Sequence, residues 1–165
     1  MTISELIKLI EQRAVDRGLD KNGTIEGQLI KTAEEVSELI IGISKDDVEV
    51  IKDSIGDVFV TIVIGNLIEG NKTNLLEVVN DCYKYCTNAS FYDAYQCIQA
   101  LMANYSDLLV DESYNNPIYL KINNLIMVAE LYELDFTDCV ESAYKEIAGR
   151  KGKVVNGTFI KESDL

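Results

Sequence analysis

Apolar residues recur at intervals of three and four along most of this chain, which predicts amphipathic helices rather than strands. The first such pattern covers about residues 2–17, and a polar turn is expected over residues 18–23. Thr24 suits the N-cap of a second helix that reaches about Ser44. We therefore expect two helices separated by a turn in the N-terminal third of the chain.

A third helix is expected after the charged break at residues 45–47, and it should end near Glu69, where Gly70 and Asn71 follow. Residues 58–65 in this helix are apolar on nearly every side, which predicts that they are buried. Because the break is short, the second and third helices should pack antiparallel.

Four more helical patterns cover about residues 73–87, 90–109, 117–134 and 136–148. Two short β-prone runs then flank Asn156-Gly157, a pair typical of a type I′ hairpin turn. Residues 161–165 are expected to be a solvated tail. The patterns together predict one all-α, multi-helix domain over residues 1–165 with a short C-terminal β-hairpin.

Composition agrees with this fold, because one proline and ten glycines in 165 residues are few for an all-β chain. The net charge of −13 disfavours binding to a nucleic acid polymer. A small phosphate ligand would need a divalent cation between it and the carboxylates. The sequence contains no apolar run of membrane-spanning length and no signal-peptide pattern, so we expect a cytoplasmic protein that does not engage membranes.

The four cysteines, Cys82, Cys86, Cys97 and Cys139, are expected to be free thiols in that reducing compartment. Cys82 and Cys86 could share a helix face. The chain has no histidine and no CxxC pair, so a structural zinc site is disfavoured.

An acidic surface is expected on the second helix, next to its apolar face. Four polar residues share an arc of roughly 80°: Gln28, Lys31, Glu35 and Glu38. Glu34 lies about 100° from Glu35 and therefore flanks the arc. Acidic residues on a helix most often form a solvated face, but Gln28 and Lys31 add the donors that a phosphate site requires.

The third helix carries Asp53 and Asp57 on one face, and Glu49 extends that face by a turn. A charged first turn that complements the helix dipole explains Glu49 but not Asp57, which lies further along. Asp57 is expected where the helix becomes buried, and an aspartate there is costly unless it is paired or bound to metal. Gly56 could permit close approach of another helix.

The antiparallel pairing should bring the two acidic surfaces together, with three or four carboxylates converging. Ligation by oxygen alone favours Mg²⁺ or Mn²⁺ over Zn²⁺.

These acids lie in two motifs, residues 34–38 (Glu-Glu-Val-Ser-Glu) and 53–57 (Asp-Ser-Ile-Gly-Asp), that resemble those of the MazG-like all-α nucleotide pyrophosphohydrolases. The likeness is greatest to phage and prophage members. It covers about residues 18–66, within an acidic core of about 18–70, and residues 144–159 also resemble the end of those proteins. The remaining C-terminal helices contribute little to it.

The resemblance implies Mg²⁺-dependent cleavage of nucleoside or deoxynucleoside triphosphates to the monophosphate and pyrophosphate, in house-cleaning or nucleotide-pool control. It implies that Glu35, Glu38 and Asp57 are metal ligands and that Glu34 orients or deprotonates the attacking water.

Four residues are expected to bind the substrate: Gln28, Lys31, Arg150 and Lys151. Gln28 and Lys31 would contact phosphate or base, and Arg150 and Lys151 could close over the phosphates. Arg150 and Lys151 could equally be ordinary cations at a helix C-terminus.

Ser54 stands where the family pattern has a glutamate, and Asp53, at a same-face spacing from Asp57, could replace that ligand. Ser54 also leaves open a non-catalytic helical module that binds nucleotide or protein on the same scaffold. The very apolar third helix suggests a homo-oligomer, a dimer or tetramer. The preferred base and sugar stay open.

Overall fold

The computed structural model describes residues 1–85, 91, 93–106 and 117–162. Eight helices and one antiparallel pair of strands lie in these ranges: α1 (Ile3–Asp16), α2 (Leu19–Asn22), α3 (Ile25–Lys45), α4 (Val48–Ile68), α5 (Leu75–Tyr85), α6 (Ala94–Ser106), α7 (Pro117–Leu131), α8 (Phe136–Gly149), β1 (Gly152–Val155) and β2 (Thr158–Lys161). The predicted all-α fold with a terminal hairpin is confirmed. The expected ends of the helical patterns at about residues 73–87 and 90–109, and most of the expected tail, lie outside the described residues.

Helix α1 begins with a capping box, in which Thr2 and Glu5 satisfy each other's backbone N–H groups. The turn predicted over residues 18–23 is wrong in part, because α2 forms there. Gly18 ends α1 with a φ of 72°, and Leu19 is only 3% exposed. Burial of Leu19 against the core stabilises a single helical turn in an otherwise polar segment.

Helices α3 and α4 meet at the short charged break that the sequence predicts. Thr24 caps α3 by accepting a hydrogen bond from the Gly27 N–H. Asp46 takes the left-handed conformation that ends α3, with a φ of 55°. Asp47 then accepts from the Val50 N–H and begins α4. The two caps turn the chain within two residues, which returns α4 alongside α3.

Contacts along the α3–α4 seam show that the two helices are antiparallel. Gly42, near the end of α3, packs against Ile51, near the start of α4. In the middle of both helices, the Thr32 hydroxyl donates to the buried Thr61 hydroxyl at 3.0 Å. Gln28, in the first turn of α3, lies against Gly65 in the last turns of α4. The predicted pairing is therefore confirmed.

The centre of the molecule is α4, which the other long helices surround. Its apolar half is buried as predicted, from Val58 through Val63. Phe59 packs edge-on against Phe136 of α8, with ring centroids 5.2 Å apart. Gly56 lies so close to α8 that a Cβ there would be 2.3 Å from the Cys139 carbonyl oxygen. Helix α8 therefore rests directly on the backbone of α4, one residue before Asp57.

Helices α5, α6 and α7 complete the core. Cys82, Cys97 and Cys139 are buried and not bonded to each other, which agrees with the expected free thiols, whereas Cys86 lies outside the described residues. Of the helices that the structure describes, none combines the length and the apolarity needed to cross a membrane.

The C-terminal hairpin turns at Asn156-Gly157, with φ values of 51° and 82°. Two successive positive φ values are those of a type I′ turn, so this prediction is confirmed. The hairpin lies against the beginning of α3, where the Thr24 N–H donates to the Gly157 carbonyl at 3.1 Å. The strands following α8 therefore lie next to the helix that carries the first acidic motif.

Candidate functional site

The two acidic motifs face each other across the α3–α4 seam. Glu35 lies on α3 and Asp57 on α4, and each side chain is half-buried. The antiparallel register places them within electrostatic reach of each other, since each lies within a turn of the Thr32–Thr61 contact. The angular prediction that these two carboxylates converge is consistent with this arrangement.

Asp57 is the most perturbed acid of the site. Its pKa is raised from 3.8 to about 7, first by burial and then by the negative charges of Glu35 and Asp53. The charge of Arg150 opposes this rise without cancelling it. At neutral pH the side chain is therefore poised between its protonated and ionised forms, and it lacks a full compensating charge.

Glu35 shows the same effect in a milder form. Burial raises its pKa, and the negative charge of Glu38 raises it further, while Lys31 acts in the opposite direction. Two half-buried carboxylates whose ionised forms are both disfavoured would be stabilised by a cation between them.

The other predicted acids lie at the edge of this pair. Glu38, Glu34 and Asp53 are exposed. Glu34 forms an ion pair with Lys31 one turn earlier on α3. Glu34, the predicted base, and Lys31, a predicted substrate contact, therefore lie together at the edge of the site.

The remaining predicted contacts are spread along the seam. Gln28 lies against Gly65, about two helical turns from Glu35. Lys151 is exposed at the base of the hairpin, where its carbonyl accepts from the Glu162 N–H. Arg150 lies within electrostatic reach of the acids, since its positive charge acts to lower the pKa of both Asp57 and Glu35.

Ser54, which stands where the MazG-like pattern has a glutamate three residues before the aspartate, is only 3% exposed. Asp53, its neighbour, points toward solvent and still raises the pKa of Asp57. Of these two positions, only Asp53 offers a carboxylate on the Asp57 side of α4.

The donor chemistry of the site fits a divalent cation, because the acids are all carboxylates and two of them are destabilised by their own charge. As the side chains stand, no three acidic or cysteine side chains in the described ranges gather closely enough to hold a metal ion. A third oxygen ligand would therefore come from a rotation of an exposed side chain, Glu38 or Asp53.

A cavity of about 360 Å³ continues the site along α4 toward α8. Its lining consists of Glu49, Val50, Lys52, Asp53 and Ser142. Asp53 is the predicted metal ligand in this lining, which does not include Glu35 or Asp57. Two larger cavities, which share residues 72–74, lie around the loop between α4 and α5.

Sequence reasoning missed three residues that surround Arg150. Glu146 forms an ion pair with the Arg150 guanidinium, and the spacing of four residues on α8 is the signal that could have shown it. Arg13 of α1 and Arg17, the residue that follows α1, both donate to the Arg150 carbonyl, at 2.7 and 2.8 Å. Nothing in the local sequence indicates a contact over more than 130 residues.

Comparison with known proteins adds one partial relative. The chain is 52% identical over 62 residues to a protein of Haemophilus phage HP1 described as an uncharacterized 18.2 kDa protein in the rep-hol intergenic region. The matched segment covers 38% of this chain and 38% of the phage protein, so the chain spans well under half of its relative. No protein-family model matches the chain. No solved structure matches it either.

Replacing Asp57 with asparagine is expected to stabilise the metal-free protein at pH 8. The folded-state pKa of about 7 exceeds the unfolded value, so the folded protein holds a proton that the unfolded chain releases, and wild-type stability falls as the pH rises from about 4 to 7. The rise of the pKa from 3.8 to about 7 sets an upper limit of about 4 kcal/mol on the gain in free energy of unfolding. Partial exposure of the side chain reduces this gain to about 2 kcal/mol.

Thermal unfolding with a chelator present measures the melting temperatures of the variant and the wild type. The variant should melt about 5 °C higher at pH 8, and the two should melt together near pH 4. Asp20→Asn, an exposed change on α2, is the control and should show no such pH dependence. Equal melting temperatures for Asp57→Asn and the wild type at pH 8 would contradict the raised pKa.

Proposed function

We propose that this chain is a Mg²⁺-dependent nucleoside or deoxynucleoside triphosphate pyrophosphohydrolase, with Mn²⁺ as an alternative metal. The supporting observation is the half-buried pair of Glu35 and Asp57, whose pKa values are both raised by burial and by neighbouring acids. Half-buried acids on neighbouring helices whose pKa values are raised by burial and by each other's charge are typical of functional sites.

Asp57 and Glu35 would hold the metal, with Glu38 and Asp53 at the rim completing its oxygen ligands. When bound, Mg²⁺ neutralises phosphate oxygens and polarises the phosphorus atom under attack.

The positive charges at the site have separate roles. Arg150, beside Asp57 and Glu35, would bind the β- and γ-phosphates and stabilise the negative charge that develops on the leaving pyrophosphate. Lys31 and Gln28 would contact the nucleotide further along α3, and Lys151 would approach the phosphates from the hairpin.

Glu34 would orient the attacking water and accept its proton. The water oxygen forms a bond to the α-phosphorus, and the bond from that phosphorus to the α–β bridging oxygen breaks. The electron pair leaves with pyrophosphate. Glu34 is exposed and held by Lys31, which leaves its second carboxylate oxygen accessible to water.

A panel of nucleoside and deoxynucleoside triphosphates, incubated with the folded protein and Mg²⁺, tests this proposal. Phosphorus NMR should show a monophosphate and pyrophosphate from at least one nucleotide, and a chelator should stop their release. Diphosphate and inorganic phosphate as products would indicate cleavage at a different bond. Absence of pyrophosphate from every nucleotide would overturn the proposal.

A non-catalytic binding module is the second candidate, and the burial of Ser54 at the family's acid position favours it. Calorimetry with a non-hydrolysable triphosphate separates the two candidates. An enzyme of the proposed kind binds this nucleotide only with Mg²⁺, whereas a protein-binding module responds to neither.

The proposal includes a homo-oligomer, a dimer or tetramer. Ile30 and Ile41 lie on the outer face of α3 and are 59% and 48% exposed. A second copy packed on this face would remove both side chains from water.

A further inference from the structure

The end of α8 is held by Arg13 of α1 and by Arg17, the residue that follows α1. Arg17 donates to the carbonyls of Ile147, at 2.5 Å, and of Arg150, at 2.8 Å. Arg13 donates to the same Arg150 carbonyl at 2.7 Å. Carbonyls in the last turn of a helix have no partner within the helix, and cations there stabilise them. The two arginines therefore fix the point at which the chain leaves α8.

The Arg17 guanidinium also contacts the C-terminal hairpin. The Arg17 guanidinium carbon lies 4.2 Å from the centre of the Phe159 ring in β2. A guanidinium over an aromatic face is attracted by the ring. Arg17 thus contacts α8, the residue that follows α8, and the hairpin beyond it.

Stability alone explains this cluster poorly. Burial, followed by repulsion from Arg13 and Arg150, lowers the pKa of Arg17 to about 10. Within the described part of the chain, the buried Nε atoms of Arg13 and Arg17 have no hydrogen-bond partner. Each unsatisfied buried donor destabilises the folded protein. The arginines pair the Ile147 and Arg150 carbonyls at this cost, and the same contacts fix where Arg150 lies, which is a geometric role.

That geometric role concerns the Arg150 side chain. The Arg150 backbone is extended, with φ −67° and ψ 131°, so the α8 helix no longer fixes its direction. Burial lowers the pKa of Arg150, but its hydrogen bond to Glu146 and the charges of Asp57 and Glu35 outweigh burial and raise it. Glu146 holds the guanidinium from α8, and the anchored carbonyl fixes where the Arg150 backbone lies, so both contacts set how near the guanidinium is to the acids.

We propose that Arg17 is a positioning residue that holds the Arg150 guanidinium beside Asp57 and Glu35. Arg17 itself contacts main-chain carbonyls and a ring, so it acts on the site only through Arg150. The kinetic consequence rests on the proposed pyrophosphohydrolase function, whereas the placement of Arg150 does not.

The first test is kinetic. Arg17→Met keeps an apolar stem against Phe159 and removes both carbonyl contacts. Displacement of Arg150 should lower kcat about 10- to 100-fold and also raise KM, because Arg150 contacts the phosphates of the bound nucleotide. Because Arg17 acts through Arg150, the double variant Arg17→Met/Arg150→Met should be no slower than Arg150→Met alone. Losses that multiply in the double variant would overturn the inference.

An intermediate variant and a control variant accompany Arg17→Met. Arg17→Lys keeps the charge but presents one ammonium instead of the planar fork, so its loss of kcat should be intermediate. It also serves as the test variant should Arg17→Met fail to fold. Lys8→Met removes an exposed cation from α1 and should leave kcat unchanged.

The second test needs no turnover. The Nε–Hε NMR signal of Arg150 in the ligand-free wild type is assigned by its loss in Arg150→Met. In Arg17→Met this signal should move toward the position of a solvated arginine while the backbone amide spectrum stays native. An unmoved Arg150 signal would overturn the inference even if the enzyme is active. A moved signal without any pyrophosphate release would uphold the placement and reject the proposed function instead.

Discussion

Asp57→Asn is expected to lower the proposed Mg²⁺-dependent pyrophosphate release by about 10³-fold or more. Asparagine keeps the size of the side chain but removes the negative charge that a divalent cation requires at the half-buried centre of the site. The loss should appear in kcat/KM at saturating Mg²⁺ and should not be recovered at higher metal concentration. A variant that retains near wild-type turnover would show that Asp57 is not a metal ligand.

A second ligand variant and one control accompany this measurement. Glu38→Ala is also expected to abolish turnover, and because Glu38 is exposed, its loss should leave the fold intact. Asp20→Asn removes one negative charge from exposed α2 and should leave the rate unchanged. A general effect of net charge would instead lower all three rates together.

Activity and stability should change in opposite directions at Asp57. The same substitution that removes turnover should raise the melting temperature of the metal-free protein, because the wild-type carboxylate is destabilised by burial and by Glu35 and Asp53. A residue that lowers stability in the absence of ligand is typical of a functional site. Mg²⁺ should correspondingly stabilise the wild type more than the variant.

The helical periodicity of the sequence predicted the part of the fold that carries the acids. Thr24 and Asp47 begin helices with side chains that accept a backbone N–H, and Asp46 ends α3 in the left-handed conformation. Such caps act within a few residues. The antiparallel seam followed from the shortness of the break between α3 and α4. Local signals were sufficient here because the contacts themselves are local in sequence.

The site was predictable where helix geometry decides it and not where distant segments meet. The angles around α3 and α4 placed Glu35 and Asp57 toward each other and Glu34 outside. The spacing of three residues between Lys31 and Glu34 is a local signal of their ion pair that the angles around the helix did not use. The anchoring of Arg150 by Arg17 depends on the packing of α1 against α8, and periodicity does not give that packing.

The sequence did not predict helix α2, because the signal for it is not local. A polar segment between two glycines predicted a turn, yet burial of Leu19 supports one helical turn there. Tertiary burial of a single side chain outweighed the local preference of its neighbours.

Gly56→Ala is expected to destabilise the protein by about 2–3 kcal/mol, although alanine favours helices more than glycine does. The added Cβ would lie 2.3 Å from the Cys139 carbonyl oxygen and 2.7 Å from the Ala143 Cβ. Neither neighbour is the flexible end of a long side chain, so α8 itself would have to move away from α4.

Gly65→Ala is the matched control, because it makes the same change on the same helix. Its Cβ would meet only the Gln28 Cγ, at an ordinary contact distance of 3.6 Å. This variant should be as stable as the wild type or up to about 1 kcal/mol more stable, owing to the higher helix propensity of alanine. Urea denaturation of the two variants side by side measures the difference.

The consequence of Gly56→Ala should extend beyond stability. A displaced α8 also carries Glu146 and Arg150 away from Asp57, so the folded fraction of this variant should lose turnover as well. Gly65→Ala should lose none. If Gly56→Ala proves as stable and as active as Gly65→Ala, the close contact between α4 and α8 does not set the geometry of the site. A selective loss in Gly56→Ala would instead show that the site depends on the α4–α8 distance as well as on its acids.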